Sequence, residues 1–194
     1  MMIIDARGDA CPLPVIKTKK ALADMEAGGK LQVLVDNEIA VQNIGRFLDA
    51  AGHAHQVEQQ DGVYTLTITV GRGAPSAAED AVCGKSVVVL SSDCMGSGDE
   101  VLGRLLMKGF VFALTQLDTL PDVILLYNSG AKLSISGANT LADLKSLETA
   151  GVRILTCGTC LEHFGIAELL SVGDVTNMYT IAEEMCSAGR VVRP

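Results

Sequence analysis

Residues 71–85, GRGAPSAAEDAVCGK, interrupt the apolar pattern of the chain and separate two stretches that follow different rules. Before them the strand-like segment YTLTITV alternates polar and apolar residues, as a half-buried strand does. After them SVVVLS is a continuous apolar run, as expected of a strand buried on both faces. Glycine, proline and small residues with an acidic pair make the interruption a linker. The 194 residues therefore read as two domains, 1–70 and 86–194, joined by residues 71–85.

In the first part Met2–Asp5 reads as a strand and Leu13–Ala27 as a helix stopped by Gly28 and Gly29. Val15, Ile16, Leu22 and Met25 are the candidates for its buried stripe. A strand over Lys30–Asp36 and a helix over Glu38–Ala51 follow, the latter with Val41, Ile44, Phe47 and Leu48 inward. His55–Gln60 and Val63–Val70 flank Asp61-Gly62, a strong hairpin signal. The expected fold is a two-layer α/β sandwich, two helices on a four-stranded mixed sheet.

The second part alternates strand and helix. Strands are expected at Ser86–Ser91, Asp122–Tyr127, Val152–Thr156 and Val191-Val192. Helices are expected at Asp99–Gln116, Leu141–Ala150, near Leu161 and at Thr180–Ala188. That order predicts a three-layer α/β domain with a mostly parallel sheet, whose sites lie at the carboxyl ends of the strands.

The net charge of −8 argues against sequence-independent nucleic-acid binding, which needs a basic face. No apolar run approaches the roughly 20 residues needed to span a bilayer. Only four residues precede Asp5, too few for a signal-peptide core, so a cytoplasmic location is expected. In that compartment the six cysteines (11, 83, 94, 157, 160 and 186) would be mostly reduced, and their pattern points to catalysis or metal before structural bridges.

Cys11 lies in RGDACPLPVIKTKKAL, just before Pro12 and Pro14. Proline suits the first helical position, which places Cys11 at a helix N-terminus. Unpaired N–H groups there favour an anion, and a thiolate is one. Arg7 could add positive charge. Lys17, Lys19 and Lys20 lie one to two turns along the helix, too far to act on the sulfur, and suit docking of an acidic partner. The plainer alternative is a small buried residue capping the helix.

Cys157 and Cys160 form a C-x-x-C in VRILTCGTCLEHFGI, where a buried strand gives way to a helix. Gly158 gives the turn room. Such a pair can form a disulfide, hold a persulfide beside a resolving thiol, or bind metal, and the bland alternative is two core cysteines. Metal is the weaker option. His163 adds a third potential ligand, but a fourth is missing, and no metal or cofactor is expected. The loop SSDCMGSGDEVLG contains Gly96, Gly98 and Gly103, which fail the dinucleotide spacing, and Asp99 and Glu100 would repel phosphate. Cys94 in this loop is a further candidate for the same sheet edge. Cys83 and Cys186 read as a linker thiol and a helix-packing thiol.

DACPLPVIKTKKAL resembles the Cys-Pro-x-Pro signature of the SirA/TusA sulfur-carrier family, and the likeness extends over residues 1–70. In that family the motif cysteine carries a persulfide, a role that would fall on Cys11, with Pro12 and Pro14 as motif prolines. The second part resembles the DsrE/DsrF-like domain in MGSGDEVLGRLLMKGF, VILLYNSGAKL and VRILTCGTCLEHFGI. Cys157 best matches that family's acceptor cysteine, with Cys160 as the other candidate. The two together resemble the YedF-type proteins, described as sulfurtransferase-like and associated with selenium metabolism. The resemblance implies a carrier of persulfide or perselenide, covalently held, moving between cysteines of the two domains. It implies a cysteine desulfurase or other donor, a downstream acceptor, and a homo-oligomer formed through the DsrE-like domain. A thiol–disulfide oxidoreductase using Cys157 and Cys160, or a non-catalytic oligomeric binding module, are the competing readings.

Overall fold

Asp61 and Gly62 both take left-handed backbone, with φ of 51° and 80°. That geometry is what a two-residue hairpin between right-twisted strands requires. The computed structural model describes residues 1–10, 12–71 and 84–194. Cys11, Cys83 and most of the expected linker lie outside the described residues. The chain divides into two units, Met1–Asp80 and Ala81–Pro194.

The first unit runs β1 (Met2–Asp5), α1 (Leu13–Ala23), β2 (Lys30–Val35), α2 (Glu38–Ala50), β3 (Ala54–Gln60) and β4 (Val63–Thr69). Its sheet has the order β1-β2-β4-β3, with β1 parallel to β2 and the other pairs antiparallel. Leu31, Val33 and Val35 alternate onto the face that also carries Leu66 and Ile68, and Ile44 and Leu48 of α2 pack there. Each such fully buried aliphatic side chain stabilises the unit by about 1.5–3 kcal/mol.

Helix α1 departs from the expected pattern. It ends at Ala23, four residues before the expected Ala27, because Asp24 caps it and Met25 N–H turns back to Leu22 O at 3.2 Å. Its buried residues are Pro14, Thr18, Ala21 and Leu22, whereas Ile16 is only half-buried. Thr18 is tolerated inside because its hydroxyl donates to Pro14 O at 2.8 Å, four residues earlier.

The second unit runs β5 (Ser86–Leu90), α3 (Glu100–Leu114), β6 (Val123–Leu126), α4 (Leu141–Thr149), β7 (Arg153–Cys157), α5 (Gly158–His163), β8 (Asp174–Thr176), α6 (Met178–Cys186) and β9 (Arg190–Val192). Its sheet, β8-β7-β6-β5-β9, is parallel throughout. Strand β8 was not anticipated; three residues are too few to show a period. The continuous apolar runs have the meaning read from them. Val88, Leu90, Ile124 and Leu126 face α3 and α4, while Val87, Val89, Val123 and Leu125 face Ile181 of α6. The domain is thus three-layered.

At the amino end of this sheet Glu184, 8% exposed, accepts from Lys85 and from Arg153 Nη1 at 3.0 Å. These bonds fasten α6 to the starts of β5 and β7. Among the described residues no helix is long and apolar enough to cross a membrane.

Candidate functional site

In the first unit the loop from β1 to α1 is held from several sides. Ala6 N–H donates to Leu34 O at 2.9 Å, and Gly8, at φ 76°, donates to Asp36 Oδ2 at 2.7 Å. Leu13 N–H reaches back to Ala10 O at 2.9 Å, across position 11. Helix α1 begins at Leu13, so Pro12 is its N-cap and not its first helical residue, and Pro14 occupies the second. A proline at each of those positions removes an N–H that has no partner within the helix.

Arg7 is engaged by Asp5. Its Nε donates to Oδ1 at 2.9 Å and its Nη2 to Oδ2 at 2.5 Å. This hydrogen-bonded pairing holds the Asp5 carboxyl down to about 2. Lys17, expected to serve in a docking patch with Lys19 and Lys20, folds back on the loop before the helix. Its ammonium turns back to Asp9 Oδ2 at 2.5 Å and to Asp5 O at 3.4 Å. A four-carbon stem spans one helical turn, which residue spacing does not convey.

A groove of about 220 Å³ adjoins the motif. Pro12, Pro14 and Val15 line one side, and Asn37 and Ile39 of the α2 start line the other. Asn37 is the N-cap of α2, its side chain accepting from Ala40 N–H at 2.8 Å. Ile39 is 68% exposed, so the groove is bordered by uncovered apolar surface.

In the second unit the loops after β5, β6 and β7 share the carboxyl edge of the sheet. Cys157 ends β7 and is the N-cap of α5, with only 1% of its surface exposed. It belongs to the apolar cluster that also contains Leu125, Leu155 and Ile181. Cys160 is half-buried against the same cluster, and both are free thiols. The backbone N–H of Asn128 donates to Cys160 Sγ at 3.0 Å. Burial pushes the Cys160 thiol above the ordinary range; the Asn128 N–H works against that shift, and the Cys157 thiol adds to it.

Gly158 packs closely at this turn: a Cβ there would meet Val175 Cγ1 at 3.0 Å. His163 is exposed and stacks edge-on against Phe164, whose ring carries Lys132 Nζ at 4.5 Å from its centre. Among the described residues no three His, Cys, Asp or Glu side chains converge as metal ligands.

Cys94 is half-buried in the loop after β5. Its N–H donates to Ser92 Oγ at 3.0 Å, and its Cβ lies 3.1 Å from where a Cβ on Gly103 would stand. Its thiol donates to Glu100 O at 3.8 Å. Ser129 Oγ joins this loop to the next, accepting Asp93 N–H at 3.2 Å and lying 3.4 Å from Ser92 Oγ. Asp99 caps α3, accepting Leu102 N–H at 2.7 Å, so the acids serve the helix start. Cys186 is exposed at the end of α6 and does not pack as expected.

Sequence reasoning missed Asn128 and Ser129. Both lie within three residues of the end of the parallel strand β6, the position from which a loop reaches a site in such a sheet. That placement was their one available signal.

A family profile described as "Sulfurtransferase TusA" matches residues 2–70. Over 53 residues the chain is 45% identical to a "putative sulfur carrier protein" of Methanocaldococcus jannaschii, covering 27% of this chain and 71% of that protein. It is 39% identical over 66 residues to a "putative sulfur carrier protein" of Neisseria meningitidis, covering 34% of this chain and 89% of that one. The solved SirA-like protein from Desulfitobacterium hafniense is 46% identical, covers 37% of this chain and 99% of its own, and has a TM-score of 0.35.

Proposed function

Through residues 2–70 this chain belongs to the TusA family of sulfur carriers, and from that premise we propose that Cys11 takes up sulfur as a persulfide and passes it to the thiol pair of the second unit. The carrying observation is the family match over a segment that contains Cys11-Pro12-Leu13-Pro14. Cys11 thiolate attacks the outer sulfur of a donor persulfide, and the donor leaves as a thiolate. Cys157 or Cys160 then takes the outer sulfur from Cys11 in the same way. One polypeptide bearing both sites raises the local concentration of each near the other.

The second unit is read as DsrE/DsrF-like and the whole chain as YedF-type, with selenium as an alternative cargo. Three free thiols, Cys94 on the loop after β5 and Cys157 and Cys160 where β7 passes into α5, gather at one sheet edge and support a chalcogen-handling role for it. The donor is a cysteine desulfurase or an equivalent persulfide source, and a further protein or small molecule consumes the product. Homo-oligomerisation through the second unit belongs to the same reading. It is supported by Val101, Leu102, Leu105 and Leu106, four exposed apolar residues on two turns of α3.

The test is intact-mass measurement after incubation with a cysteine desulfurase and cysteine, then with selenocysteine. Wild type is compared with Cys11→Ser, Cys157→Ser and Cys160→Ser. The expected result is a chalcogen adduct that Cys11→Ser fails to acquire in either unit. Equal loading of Cys11→Ser and wild type would overturn the relay. A reversible Cys157–Cys160 disulfide with no adduct on any variant would replace it with the oxidoreductase reading.

A further inference from the structure

We infer that the Cys157–Cys160 pair discharges the carried sulfur as hydrosulfide, with Cys160 receiving it and Cys157 expelling it. The inference rests on the carrier reading only for the source of the persulfide.

The two thiols are unequal. Cys157 is 1% exposed within an apolar cluster, so a protein-borne persulfide has no path to it. Cys160 is half-buried and stands on the solvent side of the pair. The Asn128 N–H aimed at Cys160 Sγ from 3.0 Å stabilises negative charge on that sulfur and no other of the pair. Cys160 is therefore the thiol built to attack first. Cys157, three residues earlier at the end of β7, belongs to the apolar cluster against which Cys160 packs. Displacement at sulfur needs the entering and leaving groups on opposite sides, so discharge requires the added sulfur to lie on the far side of Cys160 Sγ from Cys157.

The steps balance. Cys160 thiolate attacks the outer sulfur of the donor persulfide; the donor S–S bond breaks, and the donor departs as a thiolate. Cys160 now carries the sulfur at oxidation state zero. Cys157 then loses its proton to the outer sulfur or to solvent and attacks Cys160 Sγ. The bond to the outer sulfur breaks, and that sulfur leaves as hydrosulfide. It has gained two electrons, one from each cysteine sulfur, and a Cys157–Cys160 disulfide remains. A dithiol reductant of the thioredoxin class restores the pair through a mixed disulfide and consumes one dithiol per turnover. With selenium the same steps release hydroselenide. The chain thus sits between a reaction that makes a protein persulfide and one that consumes the free chalcogenide anion.

The test isolates the second unit without removing the first. The full-length Cys11→Ser chain, fully reduced, is given one equivalent of glutathione persulfide. Trapped sulfide and peptide masses are followed in a single turnover. We expect about one equivalent of sulfide per chain and a Cys157–Cys160 disulfide. Adding Cys157→Ser should leave the adduct on Cys160 and slow sulfide release at least about tenfold. Cys157→Ala, which omits the hydroxyl from the apolar cluster, repeats the measurement should the serine variant fold poorly. Adding Cys160→Ser should abolish both adduct and release. Retention of the adduct without sulfide in the Cys11→Ser parent, or release unaffected by loss of Cys157, would overturn the inference. Failure of a desulfurase to load wild-type Cys11 would instead overturn the carrier reading, leaving this result standing.

Discussion

The backbone N–H of Asn128 donates to Cys160 Sγ across 3.0 Å, joining the end of β6 to the first turn after β7. Asn128 achieves this in left-handed backbone, at φ 51°. Asparagine tolerates that region and glycine adopts it freely, whereas a β-branched side chain is strained there. Asn128→Gly should therefore keep both stability and the reactivity of Cys160. Asn128→Val should cost about 1–3 kcal/mol and slow Cys160 alkylation as the N–H swings off the sulfur. Urea unfolding and iodoacetamide kinetics measure the two effects.

The protonation of Cys160 sets how fast it attacks. Burial holds the thiol up, the Asn128 N–H opposes this, and Cys157 adds to the rise. A raised thiol keeps its proton to higher pH, so less thiolate is present at neutrality than for an unburied cysteine. The alkylation rate of Cys160 should thus reach half its plateau above the midpoint of a free cysteine peptide. Cys157→Ala should shift that midpoint down, since it removes one of the raising contacts. An unchanged midpoint would mean that burial alone sets it.

Gly130 packs onto the end of β5. A Cβ there would stand 2.0 Å from Leu90 O and 2.8 Å from its carbonyl carbon, both backbone atoms that cannot rotate aside. Gly130→Ala should push the loop after β6 off the sheet edge, at a cost of about 1–3 kcal/mol. Because Asn128 is on the same loop, Cys160 alkylation should change along with the melting temperature.

At the other thiol site, Asp5 and Arg7 form an exposed pair that holds the Asp5 carboxyl down to about 2. A carboxyl depressed by folding contributes stability that is present above its unfolded value and is lost as pH falls through the folded one. The window therefore runs from the ordinary aspartate range down to about 2. NMR titration should place the Asp5 midpoint near the bottom of that window in wild type. In Arg7→Ala it should return toward the ordinary range.

Much of the fold was legible because its signals are local. The Asp61-Gly62 turn needs only two residues to declare itself, and both take the positive φ it demands. The switch from alternating to continuous apolar strands separated a sheet covered on one face from a sheet covered on two. Helix α3 was read to within one residue at its N-terminus because Asp99 is a side-chain cap, a short-range device. Strand β8 escaped because Asp174–Thr176 is held by pairing with β7 and has no pattern of its own.

By itself, then, the sequence determined the two α/β architectures, the Cys-Pro-x-Pro motif ahead of α1, and a C-x-x-C where β7 passes into α5. These follow from periodicity, turn chemistry and motif spacing, all contained within a few residues. The tertiary structure alone decided that Cys157 is sealed and Cys160 reachable. The first lies in an apolar cluster with Leu125 of β6 and Ile181 of α6, elements separate from its own strand. A backbone N–H from residue 128 meets the second. The structure also decided that Lys17 returns to Asp9 and that Thr18, not Ile16, is buried in α1. The Cys160 hydrogen bond and the burial of Cys157 depend on segments 24 to 32 residues away. Only packing brings those segments together, and no local pattern encodes which side chain they will cover.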